Sequence, residues 1–380
     1  MTAPSEGMRA GLPRSRIEVS TTTIAANVAQ LAALASPARF CAVVKANGYG
    51  HGLVIAARAA IEGGADWIAV ARIEEAEGVR AEGIDVPILI LSEPEIGSWG
   101  RVLAGRFDTI VYSAEAINTA SQATAGSAST LGLHLKIDTG MHRVGCRPAE
   151  AVELADRIAA AAGVRLAGLC THFADADNLS SDYSTLQLQR FRDADDAVAA
   201  AGHGGYLRHA ANSAAALRTE DSRLDMVRCG IACYGIAPSP ELDVAMPRLV
   251  GALRLMSEVA FVKRLAAGES VSYGRRYRTS RDTTIVTVPV GYGDGVPRSL
   301  AANGGEALIA GRRFPVVGTV TMDQLMIDVG DKAVSVGDEV VLIGRQGAAE
   351  ITANEIAARE QTIGYEIVAR LTGRLDRITV

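Results

Sequence analysis

At 380 residues the chain is longer than one average domain, so its length favours two domains. The formal net charge of −5 argues against a nucleic-acid-binding protein built on a basic surface, and no apolar run is long enough to cross a membrane. The five cysteines occur at no metal-ligand spacing, so we expect reduced core thiols, no bound metal and a cytoplasmic location.

The first part of the chain alternates short β-type runs with alanine-rich helical segments. Residues 1–15 are polar and predict a loose tail, and Arg16–Ser20 predicts a short strand that opens a domain over residues 16–240. The eight β-type runs that follow predict an α/β fold, a (β/α)8 TIM barrel. A doubly wound open sheet is the alternative, but its G-x-G-x-x-G fingerprint is missing. The eight runs are Phe40–Ala46, Trp67–Ala71, Pro87–Leu91, Thr109–Ser113, Leu131–Asp138, Leu166–Phe173, Tyr206–Asn212 and Leu224–Ile236.

The pattern changes after about Ser239. Pro240–Leu249 holds two prolines and predicts a linker. Beyond it, alternating strands separated by glycine turns predict a smaller, mostly antiparallel β-domain, which we assign to residues 241–380. Helical patterns return only near Ala353–Arg359 and in the last segment.

A single lysine ends the first predicted barrel strand. The apolar run Ala42–Val44 leads into Lys45, and the glycine-rich turn Gly48–Gly52 follows. The chain has only four lysines against thirty-four arginines, so the choice of lysine is informative. Burial at a strand end lowers the pKa of an ammonium group, which is what a Schiff-base lysine needs. An ion-paired or snorkelling lysine is the alternative.

Polar side chains also end later strands of the predicted barrel. Lys136 lies near the end of the fifth run and Arg143 follows it, His172 lies at the end of the sixth, and Arg228 lies in the eighth. The carboxyl ends of the strands of a TIM barrel form one mouth, so these residues are expected to converge. Taken singly, His172 could be a core histidine and Arg228 an ion-paired arginine; their joint pattern indicates a site.

Two short motifs have the character of a phosphate site. Asn212 and Ser213 open a predicted helix, and Gly230 and Ile231 offer backbone amides in a glycine-flanked turn. The hydroxyl of Tyr49 adds a further donor. A Schiff-base lysine beside a phosphate cradle implies pyridoxal 5'-phosphate.

With these motifs in place, the sequence resembles the bacterial alanine racemases, the barrel-type pyridoxal-phosphate family, from about residue 16 to the C-terminus. Some positions depart from the usual pattern, namely His142, Thr321 and Gly364. The segments that carry the resemblance are Val44–Gly52, Lys136–Arg143, Thr171–Phe173, Ala211–Ser213, Arg228–Gly235, Val271–Gly274, Gly291–Gly295, Met322–Gln324 and Gly364–Glu366.

The resemblance implies a role for each cofactor residue. Lys45 would bind the cofactor as an imine, and Arg228 would face its pyridine nitrogen. Because an arginine does not give up its proton in a protein, that nitrogen should stay largely unprotonated. The implied cofactor-binding residues are Lys45, Tyr49, His172, Asn212, Ser213, Arg228, Gly230, Ile231 and Tyr365.

Racemisation needs a base on each face of a planar carbanion, and the resemblance assigns Lys45 and Tyr273 to these roles. A phenol has a pKa near 10, so we expect nearby cations, with His172 and Arg228 as candidates, to lower that of Tyr273. Lys136 resembles the family lysine that becomes carbamylated; an ion pair with Asp138 is the alternative. The implied substrate-binding residues are Arg143, Tyr292, Met322 and Asp323.

The resulting hypothesis is a racemase that interconverts L- and D-alanine and supplies D-alanine for peptidoglycan. The resemblance also implies a homodimer whose active site is shared between chains. A serine or broad-specificity racemase of the same fold is the closest alternative, because an apolar pocket rejects an added hydroxyl by only about a hundredfold. Two weaker alternatives are a decarboxylase of similar architecture and a non-catalytic cofactor carrier. Carriers of this kind lack a β-domain with a second base.

Overall fold

The computed structural model describes residues 13–245 and 249–380. One unit spans Thr21–Val250, and the other joins the N-terminal residues up to Ser20 to Gly251–Val380. Of the predicted loose tail, residues 1–12 lie outside the described range, whereas Ser15 already hydrogen-bonds Ser257 at 2.7 Å.

The assignment of Arg16–Val19 to the barrel was wrong. This strand, β1, pairs parallel with the chain's last strand, Asp376–Thr379, and antiparallel with the strand Leu253–Glu258. Strand pairing between distant segments is set by tertiary contacts, and a run of four residues carries no signal of its partner. An early strand and a late strand of the described chain therefore pair with each other in the sheet of the second unit.

Eight parallel strands form the sheet of the first unit: the first seven pair consecutively in chain order, and the eighth pairs with the first. The predicted barrel is confirmed, with helices between the strands. The strands are β2 (Arg39–Val43), β3 (Trp67–Val70), β4 (Ile88–Ile90), β5 (Asp108–Val111), β6 (Leu131–Lys136), β7 (Val164–Cys170), β8 (Leu207–His209) and β9 (Met226–Cys229). The helices are α1 (Thr21–Ala35), α2 (Leu53–Glu62), α3 (Ile73–Ala81), α4 (Trp99–Gly105), α5 (Ala114–Ala123), α6 (Ala151–Ala160), α7 (Tyr183–Ala200), α8 (Ser213–Arg218) and α9 (Pro240–Ala245).

Burial in the barrel strands follows from their position between the interior and the helices. Every residue of β3, β4 and β6 is buried, because both faces of a parallel sheet are covered. Two of the six residues of β6 are nevertheless His134 and Lys136. Polar groups in a buried strand need partners or a function, so β6 marks the region of interest. None of the described helices is long and apolar enough to cross a membrane.

The second unit is mostly antiparallel, as predicted; the β1–β20 pair is a parallel exception. Two helices, α10 (Ala353–Arg359) and α11 (Gly364–Ala369), follow its central strands. Its strands after β1 are β10 (Leu253–Glu258), β11 (Phe261–Leu265), β12 (Ser270–Val271), β13 (Tyr277–Arg278), β14 (Thr283–Val288), β15 (Glu306–Ile309), β16 (Arg312–Val317), β17 (Leu325–Gly330), β18 (Glu339–Gln346), β19 (Ala349–Ile351) and β20 (Asp376–Thr379).

Candidate active site

The segment after β2 is a left-handed turn. Ala46, Asn47 and Gly48 have φ values of 53°, 55° and 63°, and Tyr49 follows at 51°. For residues other than glycine this conformation costs about 1–2 kcal/mol each, so the surroundings must hold it. The Asn47 side-chain oxygen accepts from the Leu53 amide at 2.9 Å. The turn thereby fixes where Lys45 and Tyr49 leave the backbone.

Lys45 begins this turn at the mouth of the barrel. Burial lowers the pKa of its ammonium group, and the nearby positive charge of Arg143 lowers it further, against the opposing charge of Glu75. Glu75 also accepts a hydrogen bond from the Ala46 amide at 2.6 Å, which ties the turn to α3. The amine of Lys45 is thus poised for the neutral, nucleophilic form that a Schiff base requires.

A cradle of hydroxyls and amides lies beside this lysine. A Cβ added to Gly230 would come within 2.4 Å of the Tyr49 hydroxyl, so only glycine lets the tyrosine approach. The Ser213 hydroxyl accepts from the Gly230 amide at 2.9 Å, and Ile231 begins the following turn of 3₁₀ helix. The side chain of Asn212 caps α8 by accepting from the Ala215 amide at 3.0 Å. The donor set fits an anionic oxygen group such as a phosphate.

Arg228 is 6% exposed and its guanidinium is held from several sides. It donates to the carbonyl oxygens of Thr171 at 2.7 Å, His209 at 2.8 Å and Ala210 at 3.2 Å. It also donates to the ring nitrogen Nδ1 of His209 at 2.6 Å. Burial lowers the pKa of Arg228, yet these acceptors are those that a guanidinium cation needs. Its orientation is therefore fixed by the barrel.

The structure corrects the expected charge of His172. Burial, together with the charges of Arg228, Lys136 and Arg143, lowers the pKa of His172 well below its ordinary value. The ring is therefore neutral near pH 7 and is not one of the cations that we expected to lower the pKa of a phenol. Its Nδ1 lies 3.4 Å from the Arg228 guanidinium, so this nitrogen is the acceptor and Nε2 carries the proton.

Lys136 is 6% exposed, and burial lowers the pKa of its ammonium group. Within residues 13–245 and 249–380 we find no ion pair between this amine and a carboxylate. The Asp138 carboxylate instead accepts from the amides of Gly140 and His142, each at 3.0 Å. The charges of Arg143 and Arg228 also depress the pKa of Lys136, so all three groups lie in one region.

The β-domain groups its own predicted site residues through three connected loops. The Thr319 hydroxyl donates to the Tyr273 carbonyl at 2.8 Å, and the Ser272 hydroxyl donates to the Thr319 carbonyl at 2.8 Å. The amide of Tyr292 donates to the Thr321 carbonyl at 3.0 Å, just before Met322. These contacts hold three of the side chains in one area of the domain, although nothing in the sequence pattern pointed to Thr319.

These β-domain side chains are presented outward. Tyr273 is 73% exposed and Met322 is 52% exposed, which is unusual for large apolar side chains. Asp323 forms an ion pair with Arg374 at 2.6 Å. Tyr365 lies half-buried on α11. The predicted site residues thus fall into two groups, one at the barrel mouth and one on the β-domain.

Together, the fold and the site define a class of proteins: an eight-stranded barrel with a half-buried lysine in the same turn as the tyrosine of an anion cradle, followed by a β-domain with an exposed tyrosine loop. The family models "Alanine racemase, N-terminal domain" and "Alanine racemase, C-terminal domain" match residues 19–238 and 252–379. The chain belongs to the alanine racemase family.

Individual relatives support this placement. An alanine racemase of Symbiobacterium thermophilum is 46% identical, with 97% of each chain covered. The crystal structure of the alanine racemase from Streptomyces lavendulae is 37% identical, covers 97% of each chain and superposes with a TM-score of 0.92. A histidine racemase from Leuconostoc mesenteroides is 30% identical, with 98% of this chain and 99% of that chain covered, at a TM-score of 0.89. The fold is therefore compatible with more than one amino-acid substrate.

Proposed function

We propose that this protein interconverts L- and D-alanine with pyridoxal 5'-phosphate as cofactor and Lys45 and Tyr273 as its two bases. The observation that carries the proposal is the desolvated Lys45 amine next to the Tyr49, Ser213 and Gly230 cradle. Curated relatives named alanine racemase support the choice of substrate. When bound, the cofactor would supply an electron sink that makes the substrate's α-hydrogen acidic.

The barrel residues hold the cofactor and move one proton. Lys45 would hold it covalently, and the amine of Lys45 would take or give a proton on one face of the substrate α-carbon. Tyr49, Ser213, Tyr365 and the Gly230 and Ile231 amides hold the phosphate, with Asn212 keeping α8 in place below it. His172 would contribute a neutral ring to the cofactor site, and Arg228 would contribute a permanent cation towards the pyridine nitrogen. Because Arg228 keeps its proton, it limits the electron sink and suppresses side reactions.

Tyr273 moves the proton on the opposite face. Its loop is pinned through Ser272 and Thr319, while its side chain is 73% exposed, as expected of a group that completes a site on another copy. We propose a homodimer in which each barrel mouth is closed by the partner's β-domain. The protonated Nε2 of His172 and the cation of Arg228 would then stabilise the phenolate form.

The substrate carboxylate is assigned to Arg143 and the Met322 amide, and Asp323 belongs to the same substrate site. Tyr292 and Tyr365 would narrow the pocket to a methyl group. Lys136 is proposed to carry a carbamate that orients Arg143. Only a neutral amine attacks carbon dioxide, forming the new C–N bond and releasing one proton, and burial lowers the pKa of Lys136 in the direction that favours this step. A high-resolution density map showing an unmodified lysine would contradict the carbamate.

The decisive experiment follows the loss of optical rotation of L-alanine, with incorporation of solvent deuterium at the α-carbon as a second readout. We expect racemisation with matched exchange from both L- and D-alanine, and weak turnover of serine. If serine or histidine is turned over faster than alanine, that amino acid and not alanine is the substrate. Loss of carbon dioxide would indicate a decarboxylase. The role in D-alanine supply for peptidoglycan and the cytoplasmic location stay predictions; all five cysteines are free and buried, in keeping with the latter.

A further inference from the structure

A line of four ionisable side chains runs through the interior of the barrel to Arg228. Nδ1 of His209 accepts from the Arg228 guanidinium at 2.6 Å, and its Nε2 lies 2.8 Å from Nδ1 of His134. Nε2 of His134 lies 3.2 Å from the carboxylate of Asp108. Both histidines are fully buried. The line therefore connects the mouth of the barrel to the start of β5.

The hydrogens in this line can be placed in only one way. Arg228 has donors and no acceptor, so Nδ1 of His209 must be bare and its proton must lie on Nε2. That proton is donated to Nδ1 of His134, which must also be bare. The remaining proton of His134 then lies on Nε2 and is donated to Asp108. Every bond points from the guanidinium towards the carboxylate, and a second proton on either ring would break the line.

The strands around the line are shaped to admit it. Between β6 and β7 the register slips, so that Leu133 faces Leu166 but His134 faces Gly168. Such a bulge re-aims the side chain beside it. A Cβ on Gly168 would come within 2.2 Å of Nδ1 of His134, and a Cβ on Gly132 would come within 2.4 Å of the Asp108 carboxylate. Two strand positions are thus glycine where any side chain would displace a member of the line.

We propose that Asp108, His134 and His209 are positioning residues of the reaction: their directed hydrogen bonds fix the tautomer of His209 and thereby the orientation of Arg228 under the cofactor ring. The role of Arg228 at the ring rests on the proposed function, whereas the line itself rests on the barrel alone. The three residues touch neither substrate nor cofactor and act through Arg228.

The charged groups around the line favour this single arrangement. Asp108 is also 3.7 Å from the Arg165 guanidinium, so the carboxylate is paired on its other side with a cation. At the other end, burial and the charge of Arg228 lower the pKa of His209 well below its ordinary value. Besides these groups, the ring edge of Trp67 packs against His134 with centroids 5.9 Å apart. Burial and the Arg228 end of the line therefore oppose a second proton on His209.

The first test is nitrogen NMR of histidine side chains in the wild-type protein, with and without cofactor. We expect His209 and His134 each to show a protonated Nε2 and a bare Nδ1, with no interconversion of tautomers. A His209 ring protonated at Nδ1, or one averaging between tautomers, overturns the proposal without reference to activity. This readout also separates the line from the proposed function, because it does not require turnover.

The second test compares His134→Leu with His134→Asn. Leucine removes the acceptor for His209, whereas the asparagine oxygen can occupy the place of Nδ1. In His134→Leu we expect His209 to lose its single tautomer, the pH titration of the bound cofactor's absorbance to shift, and kcat to fall about ten- to a hundredfold while KM for alanine changes less. In His134→Asn most of kcat should return. Equal losses of kcat in the two variants, or an unchanged absorbance titration in His134→Leu, would mean that the line only supports the fold and does not position Arg228.

A third variant breaks the line without altering any of its members. Gly168→Ala places a methyl group against His134 and should reproduce the NMR and kcat changes of His134→Leu. The matched control is Gly100→Ala on α4, where an added Cβ meets nothing within 4 Å. If Gly168→Ala folds and keeps both the wild-type His209 tautomer and kcat, the line does not position Arg228.

Discussion

The two units of this protein present their functional side chains in opposite ways. At the barrel mouth, Lys45 and Lys136 are desolvated, and burial lowers the pKa of each amine. On the β-domain, Tyr273 and Met322 project outward, and the loops behind them are tied by hydroxyl-to-carbonyl hydrogen bonds. Burial therefore shifts the chemistry of the barrel lysines, whereas the β-domain fixes the position of its tyrosine loop and leaves the side chain exposed.

Removal of Lys45 should have the largest effect, because it deletes the amine that is proposed to bind the cofactor and to act as one of the two bases. We expect Lys45→Ala to abolish racemisation in both directions and to lose the borohydride-reducible linkage to the cofactor. The control is Lys263→Ala, an exposed lysine on β11, which should leave both unchanged. A reducible linkage that persists in Lys45→Ala would transfer the role to another lysine, with Lys136 examined first.

A mixed dimer tests whether the two halves of one site come from different chains. Lys45→Ala and Tyr273→Phe, each inactive alone, are unfolded together and refolded. Two-fold symmetry places both defects in one site of each mixed dimer and none in the other. With equal mixing about half of the dimers are mixed, so about a quarter of wild-type activity should return. If both halves of a site came from one chain, every site would carry a defect and refolding would recover nothing.

The buried histidines of the barrel make its stability depend on pH. His209 and His172 have pKa values well below the ordinary 6.5 in the folded protein, so below about pH 6.5 the unfolded chain binds protons that the folded chain does not. Stability is therefore lost as the pH falls, by about 1.4 kcal/mol for each histidine between about pH 7.5 and about pH 5.5.

Urea denaturation at both pH values measures this loss. His209→Asn should remove the part of this pH dependence that His209 contributes. An identical pH dependence in the wild type and in His209→Asn would mean that folding does not lower the pKa of His209.

The smallest effect is expected at the loop that holds Tyr273. Thr319→Val keeps the shape of the side chain and removes its hydrogen bond to the Tyr273 carbonyl, which is worth about 1 kcal/mol. We expect kcat to fall about fivefold through looser placement of the tyrosine. Thr287→Val, on β14 of the same domain, serves as the control. A wild-type kcat in Thr319→Val would show that Ser272 alone positions the loop.

The sequence by itself determined the barrel, the β-domain and most of the residues at the barrel mouth. Parallel strands buried on both faces leave a strong apolar signal, and polar residues that interrupt it at strand ends stand out, as Lys45 and Lys136 do. Only the tertiary structure decided where Arg16–Val19 pairs, because strand partners are chosen by contacts between distant segments.

The structure also decided the charge of His172 and the roles of residues that no motif marks. A histidine's pKa depends on burial and on neighbouring charges, and the guanidinium beside His172 belongs to a residue fifty-six positions away. Likewise, Asp108, His134 and His209 lie on three strands and form one line beside a bulge in which β7 carries one more residue than β6. Such groupings depend on register and on the space left by two glycines, which a local sequence pattern does not encode.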